Sequence, residues 1–328
     1  MTDRCDPMKP SRRAFLHGAA GACAAGVAGS GGCALAGLSA KRRPFKIIDS
    51  HVHFYDPSRP QGVPWPPKDD ALLYQRTLPE DYRRQAVPQP VDGVVAVEAS
   101  TWPEDNQWLL DLAARERLIV GVVGNLPLGG TACGDLLKRF AANPLFRGIR
   151  VRDGSPEVFV GNRAFLRDLS AAAERGLCFE VHSPPVWVQQ AEPLARAVPG
   201  LRLIVNHVAS APVTGQPPPE PWRALMKKLS GCPNIFMKVS GLVEGTRRKA
   251  GDAPADAGHY RSVLDELWDL FGPDRLLYAS NWPVSGRYAP LGTVQNIAMD
   301  YFGEKGQDAV DKVFWKNAAA AYRIGAVS

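Results

Sequence analysis

From residue 45 onward, short apolar runs alternate with longer stretches whose apolar positions recur every three or four residues. Nearly continuous apolar runs are typical of strands buried on both faces, and the longer spacing is typical of amphipathic helices. Eight runs predict strands, at 45–52, 91–99, 118–126, 146–152, 177–183, 201–209, 234–241 and 275–283. The clearest predicted helices are 103–117, 133–143, 162–176 and 260–272, with a last one around 305–323.

The number and order of these segments predict one α/β fold. Eight strand–helix alternations within fewer than 290 residues are typical of a TIM (β/α)8 barrel. A doubly wound open sheet is the alternative, but no phosphate-binding glycine fingerprint follows the first strand. The sequence therefore predicts a single TIM barrel over residues 44–328.

The first 43 residues differ from the rest of the chain in composition and predict an export leader. The segment "SRRAFL" (11–16) has the twin-arginine pattern at Arg12 and Arg13. The stretch 17–40 has too few large apolar residues for a membrane anchor. Residues 1–43 are predicted to be a signal segment for the twin-arginine export machinery, which places the protein in the periplasm. The alternative is a disordered cytoplasmic tail.

The charge of the chain gives no reason to expect a nucleic-acid partner. The formal net charge is +6, but residues 1–43 carry seven Lys and Arg against two acids, so the remainder is nearly neutral. Nucleic-acid binding depends on a concentrated basic surface. The expected partner is a small-molecule substrate.

The first predicted strand ends with two histidines one residue apart. In "IDSHVHFYDP" (48–57), His51 and His53 follow an apolar run, and side chains two apart in a strand point to the same face. Two converging imidazoles suit a divalent metal. On spacing alone, the equal alternative is a polar strand end whose histidines only form hydrogen bonds.

Polar residues also end the other predicted strands. Apart from His17 and His259, every histidine of the chain lies at such an end. Catalytic groups of TIM barrels lie at the carboxyl ends of the strands, so the four strand-end histidines are expected to converge in one pocket. The strand-end residues are, in chain order, His51, His53, Glu98, Asn125, Arg150, Arg152, His182, His207, Lys238, Ser240 and Asn281.

Five strand-end motifs occur in an order found in a known superfamily. They are the HxH of the first strand, "FEVHSPP", "VNHVASAP", "KVSGL" and "RLLYASNWPVS". Together they resemble the amidohydrolase superfamily, and within it the amidohydrolase-related (amidohydrolase 2) group that includes sugar-lactone hydrolases such as L-fuconolactonase. The resemblance covers residues 45–323. It implies a TIM-barrel hydrolase that attacks a sugar-derived lactone, or a related ester or amide, with activated water.

The resemblance also implies roles for individual residues. His51, His53 and His182 match positions that hold one divalent metal ion in metal-dependent members, and Zn²⁺ is the predicted cofactor. His207 matches a position that faces the substrate or the reacting water. Some lactone-hydrolysing relatives work without metal, so metal-free hydrolysis is the alternative.

Asn281 departs from the pattern of the superfamily. It matches a position usually held by an aspartate, which ligates metal and takes the proton from the attacking water. An amide cannot accept that proton at neutral pH, although its oxygen can ligate weakly or accept a hydrogen bond.

The fourth predicted strand also departs from the binuclear members, which place a carboxylated lysine or a glutamate there. Here the strand carries Arg150 and Arg152, and guanidinium is not a metal ligand, so at most one metal is predicted. Arg150 suits a substrate carboxylate or a developing oxyanion. The equal alternative is an ion pair with Glu98.

Without metal, the strand ends still offer the groups that lactone hydrolysis needs. Stabilising the oxyanion could fall to His51, His53, Arg150 or Lys238, and the base could be His207, His182 or Glu98. Lys238 could instead be a strand-end ion-pair partner, and Glu98 could be paired within the barrel.

Aromatic residues and two loops complete the predicted site. Sugars stack their C–H faces on indole rings, although loop packing is the commoner role of any one tryptophan. The loops 55–79 and 242–258 are predicted to cover the site. The candidate substrate contacts are Asn125, Trp102, Trp187 and Trp282, and Trp65 follows the first strand end.

Three functions remain open on the sequence alone. The favoured one is a lactone hydrolase. The second is a non-hydrolytic relative such as a decarboxylase. The third is a binding protein that lost catalysis when Asn281 replaced the aspartate.

Overall fold

A computed structural model describes residues 45–152, 154 and 159–325, in which eight parallel strands form one sheet. The predicted leader, 1–43, lies outside the described residues. The strands are β1 Ile48–Val52, β2 Gly93–Val97, β3 Ile119–Gly124, β4 Phe146–Arg150, β5 Cys178–Val181, β6 Arg202–Val205, β7 Ile235–Val239 and β8 Leu276–Tyr278. The helices are α1 Pro79–Arg83, α2 Pro103–Arg115, α3 Cys133–Ala141, α4 Arg163–Glu174, α5 Pro185–Val188, α6 Ala191–Ala197, α7 Glu220–Ser230, α8 Leu242–Gly245, α9 Arg261–Phe271, α10 Leu291–Glu304, α11 Gln307–Asp311 and α12 Asn317–Tyr322.

The sheet closes into a barrel where β1 meets the segment that follows β8. Neighbouring strands are parallel and in chain order from β1 to β8. Val52 then pairs with Trp282, and the Asn281 N–H donates to the His51 carbonyl over 3.0 Å. The predicted (β/α)8 barrel is confirmed for the described residues, and the open-sheet alternative is wrong.

The inward faces of the strands change from apolar to polar along the barrel axis. On β5, Cys178 lies inside at the start of the strand, and Glu180 and His182 follow on the same face because side chains alternate. Cys178 belongs to a buried cluster that also contains Ala318 and Tyr322 of α12. Helix α12 therefore covers the amino-terminal end of the barrel, and the polar residues gather at the carboxyl ends.

The four clearest predicted helices are confirmed as α2, α3, α4 and α9, with ends displaced by one or two residues. Helix α4 begins after Asn162, whose side-chain oxygen accepts from the backbone N–H groups of Ala164 and Phe165, as an N-cap does. The predicted segment 305–323 consists of α11, a π-helical turn at Lys312–Lys316, and α12. No separate helix was predicted at α7 or α10.

All eight strands are shorter than predicted, and β6 and β8 are shortened most because the backbone turns left-handed soon after them. Strand β8 ends at Tyr278, and Asn281 has φ +59°. Strand β6 ends at Val205, and the segment His207–Ser210 follows with positive φ at all four residues. Extended pairing cannot continue through this conformation. Among the described residues, no helix has the length and apolar character needed to cross a membrane.

Candidate active site

The two histidines of β1 face each other at the carboxyl end of the barrel. Their Nε2 atoms lie 3.1 Å apart. The Nδ1 atom of His53 lies 2.9 Å from the Val97 carbonyl, which only accepts, so Nδ1 carries the hydrogen and Nε2 keeps its lone pair. His51 donates to that lone pair from Nε2, and its Nδ1 accepts from Lys238 Nζ over 2.9 Å. A continuous hydrogen-bonded chain thus joins Lys238, His51, His53 and Val97.

A second buried network holds Lys238 from the side facing the amino-terminal end of the barrel. Its Nζ donates to Glu180 Oε1 over 2.7 Å, and the Tyr322 hydroxyl donates to the same oxygen over 2.6 Å. The Lys238 and Glu180 side chains are both fully buried. Burial lowers the pKa of Lys238 to about 8, against the opposing effect of Glu180. Lys238 therefore has the ion pair that was the alternative to a catalytic role.

Arg150 and Glu98 form the third part of the network. Arg150 Nε donates to Glu98 Oε1 over 2.7 Å, and its Nη2 donates to the Glu98 carbonyl over 2.8 Å. The Asn125 amide donates to the Arg150 carbonyl over 3.1 Å. Burial raises the pKa of Glu98, and Arg150 and Arg152 oppose that effect. Glu98 thus holds Arg150 in place, as the ion-pair alternative expected.

The strand-end imidazoles are kept neutral. Burial is the largest cause, and it lowers the pKa of His51, His53 and His207 well below the ordinary value and that of His182 to about 3. Nearby positive charges lower the pKa of these rings further; the largest such effect comes from Lys238 for His51 and from Arg150 for the other three. Neutral rings next to fixed cations favour a substrate on which negative charge develops.

His207 reaches the site on a strained turn. The four residues His207–Ser210 have φ between 42° and 55°, a conformation that costs about 1–2 kcal/mol per non-glycine residue. The Trp222 indole donates to the Val208 carbonyl over 3.0 Å, which helps to hold the turn. His207 Nδ1 lies 2.8 Å from Ser240 Oγ, so the ring is fixed in orientation, and it lies 4.5 Å from the His51 ring between centroids.

His182 joins this group less tightly. Its Nδ1 atom is buried, with no hydrogen-bond partner among the described residues. Its ring centroid lies 6.2 Å from that of Trp187, and it lies close enough to His207 for its protonated form to lower the pKa of that ring. These contacts bring His51, His53 and His207 together, while convergence of His182 on the same point and the role of each ring stay predictions.

A cavity of about 390 Å³ opens beside His207. Its wall includes Ser183, Glu244, Arg247 and Asn281. The loop prediction for 242–258 assigned no residue to the chemistry, so it missed Glu244, the second residue after "KVSGL". Proximity to that motif was the one signal available in the sequence.

Glu244 and Asn281 are in contact inside this cavity. The Asn281 amide donates from Nδ2 to Glu244 Oε1 over 2.8 Å. The other carboxyl oxygen, Oε2, is buried and has no hydrogen-bond partner among the described residues. Burial raises the pKa of Glu244 to about 7, against the lowering effect of the Asn281 hydrogen bond. A carboxyl group whose pKa is raised to about 7 therefore lies beside Asn281, the position at which the sequence resemblance implies an aspartate.

The tryptophans predicted to contact substrate have different surroundings. Trp282 is 6% exposed and packs edge-on against Phe54 and Tyr82. Trp187 is 7% exposed and lies next to His182, whereas Trp102 is 37% exposed. Substrate contact by these rings stays a prediction.

Trp65, in the loop that follows β1, lies nearest to the paired histidines. Its ring centroid is 5.5 Å from that of His53. The Arg152 guanidinium lies 5.8 Å from the Trp65 ring centre. The 55–79 loop therefore covers the β1 histidines, as predicted.

The donor set of His51, His53 and His182 does not fit a divalent metal ion as it stands. Within the described residues, no three His, Cys, Asp or Glu side chains are arranged to hold a metal. Both ring nitrogens of His51 have a cationic neighbour, since Lys238 Nζ lies at Nδ1 and Arg150 Nη1 lies 3.3 Å from Nε2. These charges would repel a bound cation.

Comparison with known proteins agrees with the architecture and the motifs. The chain is 30% identical over 285 residues to the L-fucono-1,5-lactonase of Burkholderia ambifaria, a match that covers 84% of this chain and 95% of that protein. It is 24% identical to the L-rhamnono-gamma-lactonase of Scheffersomyces stipitis, with coverage of 85% and 99%.

Solved structures show the same fold. An amidohydrolase from Burkholderia multivorans, solved with bound zinc, superposes with a TM-score of 0.75 at 23% identity and covers 85% of this chain and 100% of that one. The amidohydrolase family model matches residues 48–324. With the closed barrel, the strand-end histidines and this match over most of its length, the chain belongs to the amidohydrolase family.

Proposed function

We propose that this protein hydrolyses a sugar-derived lactone in the cavity beside His207. The observation that carries the proposal is the cluster of neutral imidazoles held next to Arg150 and Lys238 at the carboxyl ends of the strands. The similarity to proteins named as sugar lactonases supports the substrate class.

The cluster supplies the electrostatics that ester hydrolysis needs. Attack of water on a lactone carbonyl places negative charge on the carbonyl oxygen, and fixed donors and cations stabilise that charge without reorganising. Arg150 and Lys238 are fixed by Glu98 and Glu180. In this proposal, the neutral ring of His207, fixed through Ser240, contacts the substrate at the cavity wall.

The proposed hydrolysis uses groups of the chain itself. A zinc ion, the cofactor predicted from the resemblance, would polarise the carbonyl and activate water, but the donors around His51 do not favour it. We therefore expect lactone turnover to be unchanged by prolonged dialysis against a chelator and by later addition of Zn²⁺. Loss of turnover on dialysis, with recovery on zinc, would show that the metal prediction was right.

A lactone panel tests the function itself. We expect purified protein to open at least one of a set of five- and six-membered sugar lactones, including L-fucono-1,5-lactone, with proton release followed by a pH indicator. His207→Asn should lower kcat/KM by about tenfold or more, since it removes a group at the reacting centre. His259→Asn, in the 3-10 turn Ala257–Tyr260 and outside the set of residues that line the cavity, is the matched control. A wild type inactive on the whole panel would contradict the proposal.

We also propose that residues 1–43 direct export to the periplasm through the twin-arginine machinery. The paired Arg12 and Arg13 support this. Replacement of both by lysine should leave the protein in the cytoplasm, as judged by cell fractionation. Periplasmic protein in that double variant would contradict it.

A further inference from the structure

The site lacks a base at the place where the family pattern puts one. Asn281 stands there, and its neutral amide cannot take a proton from water. The amide does contact a carboxyl group, because its Nδ2 donates to Glu244 Oε1 over 2.8 Å. The proton acceptor missing from the end of β8 is thus available one side chain away, from the segment that follows β7.

The position of Glu244 is well defined. It lies in α8, which begins after Gly241, and the Gly245 N–H donates to the Gly241 carbonyl over 2.9 Å. The Gly245 carbonyl accepts from Val213 over 2.9 Å, which ties the helix to the segment after β6. One carboxyl oxygen is held by Asn281, and the other, Oε2, has no partner among the described residues. Oε2 is therefore an unused hydrogen-bond acceptor on a residue that lines the cavity.

The other carboxylates near the site, Glu98 and Glu180, differ from Glu244 in having a cationic partner, although each also has one oxygen without a hydrogen bond among the described residues. Glu98 accepts from Arg150, and Glu180 accepts from both Lys238 and Tyr322. Protonation of either would break a buried ion pair, which is costly. Glu244 has no cationic partner among the described residues, and burial raises its pKa to about 7, close to the value at which a general base is most effective.

We propose that Glu244 is the general base of this active site, taking a proton on Oε2 from the water that attacks the lactone carbonyl. The water oxygen bonds to the carbonyl carbon, and the ring C–O bond then breaks. The proton on Glu244 passes to the departing ring oxygen, which becomes the hydroxyl of the product. The new carboxylic acid releases its own proton to solvent. In this assignment Asn281 is a positioning residue, since it fixes the Glu244 carboxylate.

The base assignment rests on the proposed lactone hydrolysis and is tested with Glu244→Gln, which keeps the shape and removes the proton acceptor. We expect kcat to fall by about 10²- to 10⁴-fold, the usual contribution of general base catalysis, with KM changed by less than about threefold. Glu244→Asp keeps a carboxylate and should retain more activity than Glu244→Gln. Glu220→Gln, on an exposed side chain, is the matched control and should match wild type.

A pH profile supplies a second readout. The titratable and charged groups around Glu244 are His207, Arg247, Arg287, Tyr260 and Tyr288. The pKa of His207 is lowered well below its ordinary value, and that of Tyr260 is raised to about 12. Because the arginines stay charged, Glu244 is the group of this set that titrates near pH 7. The kcat/KM of wild type should therefore fall below about pH 7, and this limb should be absent from Glu244→Gln.

The outcomes separate the two proposals. Active wild type with a Glu244→Gln variant that folds and loses kcat supports the base assignment. Active wild type with a Glu244→Gln variant that keeps half or more of kcat overturns the base assignment and leaves lactone hydrolysis standing. A wild type inactive on the whole lactone panel overturns both. Far-UV circular dichroism and thermal unfolding of each variant establish that it is folded.

Discussion

At the scale of single residues, the site is built from side chains whose ionisation is displaced by burial. The pKa of Glu244 is raised to about 7, that of Lys238 is lowered to about 8, and that of His182 is lowered to about 3. Each shift disfavours the charged form, as expected for groups removed from water. Lys238 has a carboxylate partner, whereas the Asn281 amide on one oxygen is the only hydrogen-bond partner of the Glu244 carboxyl group among the described residues. Ionisation of Glu244 therefore lowers the free energy of unfolding of the protein.

Glu244→Gln should stabilise the protein at alkaline pH. When the pKa of a carboxyl group is higher in the folded than in the unfolded chain, the folded protein loses stability as pH rises. For Glu244 the loss runs from the pKa of the unfolded chain, about 4.5, to the folded value of about 7. The glutamine variant avoids that loss. The difference in free energy of unfolding, variant minus wild type, should therefore be about 1–3 kcal/mol larger at pH 8 than at pH 5. Urea unfolding at both pH values measures the difference.

The control for this prediction is Glu220→Gln, whose side chain is 76% exposed. It should change stability equally at the two pH values. If Glu244→Gln also changed stability equally at pH 5 and pH 8, the pKa of the Glu244 carboxyl group would not be raised by folding.

At the scale of elements, the turn after β6 and the start of α8 depend on each other. Gly241 has φ +72°, and a Cβ atom there would lie 2.6 Å from the His207 Cβ. That distance is too short for any side chain, so a glycine allows the α8 backbone to approach the left-handed turn His207–Ser210. The two elements together place His207 and Glu244 on one cavity wall.

Gly241→Ala should therefore damage the site and the fold together. The added methyl group must displace His207, and the positive φ disfavours alanine, so we expect about 2–4 kcal/mol of destabilisation and at least a tenfold lower kcat/KM. Gly200→Ala is the matched control, since a Cβ there meets nothing within 4 Å. Urea unfolding and lactone turnover measure both effects; a Gly241→Ala variant as active as Gly200→Ala would contradict the steric argument.

At the scale of the whole molecule, the last helix supports the site from the opposite end of the barrel. Tyr322 of α12 packs in the barrel interior, and its hydroxyl donates to Glu180, which in turn binds Lys238. Lys238 donates to His51. A contact at the amino-terminal end of the barrel is thus connected to the imidazoles at the carboxyl end through three buried side chains.

Tyr322→Phe should destabilise the protein while leaving its packing nearly unchanged. It removes one donor from a buried carboxylate, which costs about 1–3 kcal/mol, and urea unfolding at pH 7 measures the loss. Tyr74→Phe, in the loop that follows β1 and with no side-chain hydrogen bond found in the structure, is the control and should change stability by less than about 0.5 kcal/mol. Equal stability of the two variants would mean that the Tyr322 hydroxyl contributes nothing.

The sequence by itself determined the fold class, the order of the strands and the residues at their carboxyl ends. These features are local, because apolar runs, helical spacing and the alternation of side chains depend only on residues close together in the sequence. It also allowed the family to be recognised from the order of its motifs. The ends of β6 and β8 were not predictable, since the left-handed turns that end them depend on close packing, such as that of Gly241 against His207.

Only the tertiary structure decided which groups are partners. Lys238 and His51 are 187 residues apart in the chain, and Tyr322 and Glu180 are 142 apart. Their pairing depends on closure of the barrel. The contact between Asn281 and Glu244 likewise joins loops that follow different strands. Burial displaces the pKa of a carboxyl group only when distant segments exclude water from it, so the properties of Glu244 could not be found along the sequence.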